Sequence, residues 1–370
     1  MRIVHLVSWY PRPNSQNSGI FFRQLAEGIA DTAEEVIVAC IHVKFFAKID
    51  KIGLDIRKRE KITEYMWFVP SPVPRCRWIY NILGKYYMNK LIKLINKKHG
   101  KIDVIHIQSA FSAGVYAMPY LKKNSIPIVY TEHSSKVIRG SLSKNDIGIL
   151  KEMDKRANAK VAVSQCLANE LSKYVSDIRV IGNMLDIDVK MSQSKEFTFV
   201  CLGTLRKAKG IDLLIKAFIN EFSPNEKVSL IVGGEGEYQN QLEALVKADN
   251  NRHNIRFVGA VDHENVGDFY SKGNCFVLPS RYETFGIVYI EAMACGLPVI
   301  ATRCGGPEEL VNKENGILID VDNEEQLKKA LRFMYENINN YDSLFISEKT
   351  VDLYGKRSIC EAYNELYKRL

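Results

Sequence analysis

Residues 279–298, PSRYETFGIVYIEAMACGLP, hold two carboxylates, Glu283 and Glu291, eight positions apart in an otherwise apolar setting. Residues 275–278 read as an apolar strand, Pro279 and Ser280 break it, and a second apolar run follows Gly286 and stops at Gly296. The order is strand, loop, helix, C-cap. An α-helix rises about 1.5 Å and turns about 100° per residue, so a Glu just ahead of the helix and one on its second turn can face a common space, about 10 Å apart. A nucleotide sugar would fit such a space. The unpaired N–H groups of Phe285, Gly286 and Ile287 would offer partial positive charge to a phosphate. Taken alone, Glu291 reads as a solvent-facing carboxylate. Within so apolar a run it is expected to be partly buried and to need donors such as ribose hydroxyls.

Three cations in four positions, Arg206, Lys207 and Lys209, follow the strand-like residues 197–202 and precede a helix that starts at Ile211. A diphosphate there would meet point charges and free N–H groups together, although a solvated loop has the same composition. In the first half, the strand at residues 126–130 runs into Thr131-Glu132-His133-Ser134-Ser135, a polar cluster at a strand's carboxyl end, where doubly wound sheets expose chemistry. His133 by itself reads as a hydrogen-bonded loop histidine, Glu132 as a neighbour that orients it, and His106, inside a strand, as structural. Gly19 opens the helix at residues 20–30 after the first strand, residues 3–7; by itself it is a turn glycine. The dinucleotide pattern G-x-G-x-x-G is not found at residues 8–19 or 233–236, which counts against a nicotinamide enzyme.

The central stretch, written P-S-x-x-E-x-F-G-x-x-x-x-E-A-M-A-x-G-x-P-V, resembles the E-x7-E signature of the retaining glycosyltransferases of family 4. Residues 203–210 resemble that family's G-R-L-x-x-x-K-G; Lys209 carries over, Thr204 stands at the usual arginine position, and Arg206 lies two residues later. The T-E-H-S-S loop, the Gly233-Gly234-Glu235-Gly236 turn, the 303–308 loop and residues 182–186, with Met184 for a glycine, are similar to further family turns. The resemblance implies a GT-B fold of two facing Rossmann-like domains with a donor cleft between them. It also implies transfer with retention of configuration, by attack from the leaving-group face. Carried over residue by residue, it makes Glu283, His133 and Lys209 catalytic, with Glu283 on sugar hydroxyls and His133 beside the transferred sugar. The residues expected to bind substrate are Gly19 and Gly259, by the resemblance, Arg206 and the helix-start residues Phe285, Gly286 and Ile287, by their charge and free N–H groups, and Glu291 on the ribose diol. No metal and no cofactor are expected: cationic side chains would neutralise the leaving diphosphate in place of a D-x-D metal handle.

The elements that must position these groups alternate strand and helix from the first residue, which argues for parallel sheets with helical crossovers. With 370 residues and 46% hydrophobic content the chain is long enough for two cores. The expected division is an acceptor-binding domain at 1–188, a nucleotide-sugar domain at 189–348, and a last helix at 349–370 crossing back to the first domain. A linker is expected at 187–196. Eight cysteines show no C-x-x-C and no metal spacing with the seven histidines, so they read as reduced thiols and the compartment as cytoplasm. The net charge of +8 is uneven: residues 1–188 carry 29 Lys+Arg against 17 Asp+Glu, and residues 189–370 carry 22 against 26. A basic first half suits an anionic partner, nucleic acid or membrane surface. Arg75 to Lys101 reads as a basic amphipathic helix with interfacial Trp and Tyr, which favours the inner face of a membrane and no nucleic acid; an ordinary surface helix is the plainer alternative.

The expected function is transfer of a hexose from a nucleotide-sugar donor, a UDP-sugar, to a glycan or lipid-linked acceptor in cell-surface polysaccharide synthesis. The competing readings are a nucleotide-sugar epimerase on the same fold and a non-enzymatic basic module that binds membrane or nucleic acid.

Overall fold

The computed structural model describes residues 1–12, 18–49, 51–194, 196–249 and 253–370. Part of the polar loop expected after the first strand, from Pro13 on, and Lys195 of the expected linker lie outside the described residues. The chain divides into two units, residues 1–184 with 356–370, and residues 185–355. The sequence placed these boundaries at 188 and 348. The described part of the stretch expected as a linker falls within the second unit, where the Gln193 N–H donates to the Ser271 carbonyl at 2.9 Å and Lys190 pairs with Asp268 at 2.7 Å.

The first unit is built on an eight-stranded sheet of β1 (Arg2–Val7), β2 (Glu35–Phe45), β3 (Gly53–Arg59), β4 (Ile62–Ser71), β5 (Val104–Gln108), β6 (Ile128–Glu132), β7 (Ala159–Ala162) and β8 (Ile178–Val180). Its spatial order is β3-β4-β2-β1-β5-β6-β7-β8, parallel except for the β3–β4 hairpin. The hairpin strand β3 carries no strand signal in the sequence, because its Asp, Arg and Lys side chains sit on an edge and make no apolar run. The chain winds outward from β1 on one side, then returns to β5 on the other, so a topological switch point lies between β1 and β5. The second unit holds β9 (Phe197–Leu202), β10 (Val228–Gly233), β11 (Ile255–Gly259), β12 (Cys275–Leu278), β13 (Val299–Thr302) and β14 (Gly316–Ile319), in the order β11-β10-β9-β12-β13-β14 and wholly parallel. Its switch point lies between β9 and β12. These strands are near-continuous runs of Val, Ile, Leu and Phe, as strands covered on both faces must be.

Three other expectations are corrected or refined. Thr131 and Glu132 are the last residues of β6 and not a loop, paired with Val161 and Ala162 of β7. The basic helix spans Arg77–His99, within the expected Arg75 to Lys101, and buries Gly84, Met88, Leu91, Ile92 and Ile95, while Ile82 and Tyr86 are exposed. The reason is local: Gly84, having no side chain, lets the helix approach Tyr116 closely and so sets the helix phase. The C-terminal region forms two helices, Ser343–Tyr354 in the second unit and Lys356–Lys368 in the first.

The last helix buries Tyr363 and Tyr367 against His106 of β5; the His106 Nδ1 lies 2.7 Å from the Tyr367 hydroxyl and Nε2 lies 2.7 Å from Thr131 Oγ1. His5 of β1, with its ring 4.9 Å from that of His106, is buried and neither ring nitrogen has a hydrogen-bond partner among the described residues. Burial lowers the His5 pKa to about 3 from a free value near 6.5. Between those values the unfolded chain binds a proton that the folded one refuses, so this group's stability contribution is complete above pH 6.5 and falls as the pH drops. His5→Leu, which removes an unsatisfied imidazole from an apolar site, is expected to leave urea stability at pH 7 within about 1 kcal/mol and to unfold at a higher urea midpoint than the parent protein at pH 4.5. An equal loss in both proteins on acidification would show that His5 is not a source of acid lability.

Candidate active site

In the second unit, parallel pairing of β9 with β12, at Phe199 with Cys275 and Val200 with Phe276, sends the loops that follow both strands out of the same sheet edge. The loops touch backbone to backbone because Gly210 has no side chain: its φ is +67°, and a Cβ there would collide with the Pro279 carbonyl. Arg281 locks the pair. Its N–H donates to the Ala208 carbonyl at 2.8 Å, its guanidinium donates to the Lys207 carbonyl, spans both Asp212 oxygens at 3.0 and 3.1 Å, and reaches Asp322 at 2.7 Å. Sequence reasoning passed over Arg281, which nothing in its local spacing marks as a clamp. The result is a direct contact of Lys209 Nζ with Glu283 Oε1 at 2.5 Å, with Ser280 Oγ donating to the same oxygen at 3.0 Å. The Glu283 backbone is held by Cys304 and Gly306 of the loop after β13, at 3.2 and 3.0 Å. Glu283 is thus a fixed carboxylate with one oxygen committed and partial exposure.

The helix Ile287–Ala294 begins beside it. Gly286 is its N-cap with φ +96°, no side chain caps this end, and the Gly286 carbonyl takes the Tyr289 N–H at 3.0 Å. The donors left without a partner in the helix are those of Ile287 and Val288, the first two helical residues. Phe285 is buried and backs the turn against Gly306. Glu291, on the second turn, is almost fully buried and accepts from the Tyr270 hydroxyl at 3.1 Å. One donor that its burial requires is therefore already in the protein, in Tyr270 21 positions away, which the sequence did not mark. Burial raises the Glu291 pKa to about 7, and the single tyrosine bond offsets this only in part.

In the first unit, Glu132 is fully buried and its two oxygens accept from four donors: the N–H groups of His133 and Ser134, each at 2.8 Å, the Tyr130 hydroxyl at 2.5 Å and the Ala110 N–H at 3.2 Å. It orients the loop backbone. The imidazole itself is held by Gln108, whose Oε1 lies 2.7 Å from His133 Nε2, and by the rings of Phe21 and Phe22, centred 5.2 and 5.1 Å away. Burial lowers the His133 pKa to about 3. A neutral ring that gives its Nε2–H to an amide oxygen carries its lone pair on Nδ1. Gly19, with φ +75°, N-caps the helix Ile20–Ala30 and lies against Trp9, where a Cβ would come within 2.7 Å of the indole. After β5, Ser109 takes φ +77° and opens a π-helical turn, Ala110–Gly114. Left-handed backbone at a residue with a side chain costs about 1–3 kcal/mol and is retained where surroundings enforce it, and π-turns concentrate at functional sites.

The other expected residues stand apart from these contacts. Arg206 is exposed and N-caps the short turn Lys207–Lys209; its guanidinium has no ion pair among the described residues. Gly259 ends β11 with φ +73° and accepts the Gly234 N–H at 2.7 Å. No D-x-D handle was expected, yet two such triplets occur, Asp186-Ile187-Asp188 and Asp320-Val321-Asp322. Asp188 faces Lys190 at 3.4 Å, Asp322 is taken by Arg281, and Asp320 accepts from Gln326 at 2.8 Å. Among the described residues no three His, Cys, Asp or Glu side chains group as metal ligands. The hollows of about 520 Å³ beside Phe333 and about 770 Å³ beside Arg256 are lined by none of the candidate residues.

Glu291 supplies a pH test. Its folded pKa lies above its free value of 4.5, so the folded state holds the extra proton between pH 4.5 and 7, and stability from this group falls as pH rises through that window. Glu291→Gln keeps the Tyr270 bond without the charge. It is expected to stabilise the protein at pH 8 by about 2 kcal/mol and to leave urea stability at pH 4.5 unchanged; equal effects at both values would mean that Glu291 is charged throughout.

Residues 186–345 match the family description "Glycosyl transferases group 1" and residues 19–189 match "Glycosyltransferase Family 4". An uncharacterized glycosyltransferase of Methanocaldococcus jannaschii is 31% identical over 282 residues, which is 75% of this chain and 77% of that protein. The fold is also that of sucrose-phosphate synthase from Thermosynechococcus elongatus, with TM-score 0.82, 22% identity and coverage of 100% and 99%. Anabaena HepE in complex with UDP gives TM-score 0.77 at 18% identity, covering both chains fully. Identity of 31% across three quarters of both chains, together with the loops gathered at the β9–β12 switch point, places this chain among the group 1 glycosyl transferases, family 4, with a GT-B fold of two Rossmann-like domains.

Proposed function

We propose that this protein moves a hexose from a UDP-sugar to a glycan or lipid-linked acceptor in cell-surface polysaccharide synthesis, with retention of configuration and without a metal or cofactor. The observation that carries the reading is the Lys209–Glu283 contact at a parallel sheet's carboxyl edge, beside an uncapped helix start. A diphosphate has the charge to take Lys209 from Glu283 and to use the open N–H groups of Ile287 and Val288. Released from the lysine, the Glu283 carboxylate accepts from sugar hydroxyls. As the bond from the anomeric carbon to the leaving oxygen breaks, the cation and the helix end stabilise the charge that develops on the phosphate. The acceptor hydroxyl attacks from the same face and its proton passes to the departing phosphate oxygen. Arg206 adds a second positive charge, Glu291 addresses the ribose, Gly259 lies by the base, and Gly19 allows close approach of backbone to substrate. His133 is assigned to the transferred sugar on the family resemblance. The UDP held by Anabaena HepE, a protein of the same fold, supports uridine as the base.

The helix Arg77–His99 adds a membrane role. Trp78, Ile82 and Tyr86 follow one another at helical spacing, all exposed, with Lys85, Lys93 and Lys97 exposed nearby, an arrangement suited to an anionic lipid surface. No helix among the described residues is long and apolar enough to cross a membrane.

Lys209→Ala is expected to lower transfer by at least about a hundredfold and to abolish calorimetric UDP binding, with an unchanged circular dichroism spectrum. Glu283→Gln is expected to lose transfer and keep UDP binding. Parent-like turnover in both variants would end the reading. Vesicles with phosphatidylglycerol are expected to float with the parent protein at low salt and to release the Trp78→Ala, Tyr86→Ala double variant; flotation of neither would remove the membrane role.

A further inference from the structure

A second cavity, of about 420 Å³, lies wholly in the first unit. Its walls come from the loop after β1, the turn after β5, the loop after β6 and the start of the helix Arg77–His99. It therefore sits over the β1–β5 switch point, the place where a doubly wound sheet takes its ligand. Three cations line it and are not equivalent. Arg77 is committed to Asp146 at 2.5 Å. Arg75 has no ion pair or hydrogen bond among the described residues, and Lys136 has none from its ammonium, which lies 5.3 Å above the Phe111 ring. Both free cations therefore face a space of ligand size without a countercharge.

Two of the residues with positive φ that are not glycine, Arg75 at +52° and Ser109 at +77°, line this same cavity. Backbone held in that region at two separate places around one cavity points to a geometry kept for a ligand. Trp9 and Tyr80 add aromatic faces, and Ser109 and Ser134 add hydroxyls. Apolar faces, a few hydroxyls and two uncompensated cations together describe a pocket for a ring that bears an oxyanion.

We propose that this cavity is the acceptor site and that the acceptor carries a phosphate or carboxylate group, held by Arg75 and Lys136, next to the hydroxyl that receives the sugar. The proposal rests on the transferase reading above and narrows its acceptor from any glycan to an anionic one. A soluble sugar phosphate and a lipid headgroup present the same oxyanion, and the chemistry at Arg75 and Lys136 is the same for both.

The test starts without donor, so that it stands apart from turnover. Calorimetric titration of the full chain with glucose 6-phosphate is expected to show binding that persists in Lys209→Ala, where the donor site is disabled, and that weakens at least about tenfold in the Arg75→Gln, Lys136→Gln double variant. Arg179→Gln, an exposed cation on β8, is the control and is expected to bind as the parent does. Glucose itself is expected not to bind. Vesicles containing phosphatidylinositol, offered in competition, identify the source: displacement of the sugar phosphate marks a lipid headgroup, its absence a soluble ligand. Binding that survives in the double variant, or that disappears in Lys209→Ala, overturns the proposal, as does equal binding of glucose. With UDP-sugar present, the double variant is expected to raise the acceptor KM with the donor KM unchanged. Absence of any transfer would count against the transferase reading while the anion titration still decides the cavity.

Discussion

Parallel pairing of β9 with β12 is the constraint on which the rest of the second unit depends. Strands related in this way must discharge their loops at the same edge, so the cation-bearing residues 206–210 and the carboxylate-bearing residues 279–286 meet whatever their separation in the chain. Attraction between opposite charges alone would not fix their orientation. Gly210 removes the side chain that would hold them apart, and Arg281 ties them by donating to a carbonyl and three carboxylate oxygens. Such charge-assisted bonds are the stronger kind and fix orientation as well as distance. The Lys209–Glu283 pair is a consequence of that scaffold.

The two units solve the same problem with different chemistry. In the second, the switch-point edge carries charges already paired with each other, so a ligand must exchange partners to bind. In the first, the edge carries a neutral histidine, hydroxyls and two uncompensated cations around a preformed hollow. Burying polar groups at such an edge requires that each find a partner, and Glu132 shows how: four donors converge on one carboxylate, and the loop that holds His133 gains its shape from it. His5, with no partner for either ring nitrogen among the described residues, departs from this, and it remains neutral because burial makes the charged form costly.

The elements most easily read from the sequence were those bounded by glycine or proline and filled with an unbroken apolar run. The strands Phe197–Leu202 and Cys275–Leu278 and the helix Ile287–Ala294 lie where the sequence put them. Elements whose stability comes from neighbours were not readable. The edge strand Gly53–Arg59 exists because β4 pairs with it, and the face that the helix Arg77–His99 buries was set by Gly84 meeting Tyr116.

The same distinction holds for the site. Residue type and spacing drew attention to Glu283, Glu291 and the cations at 206–209, since carboxylates in an apolar run and cations before a helix are costly unless used, whereas His133 and the choice of Lys209 came from the family resemblance. Their partners were beyond the sequence: Tyr270 for Glu291, Gln108 for His133 and Arg281 for the two loops lie 21 to 74 residues from what they hold. Local periodicity decides whether a segment is helix or strand, because its hydrogen bonds and its buried stripe are set over a few residues. Which side chains then meet is decided by strand order, and strand order follows only when the whole sheet has closed around its core.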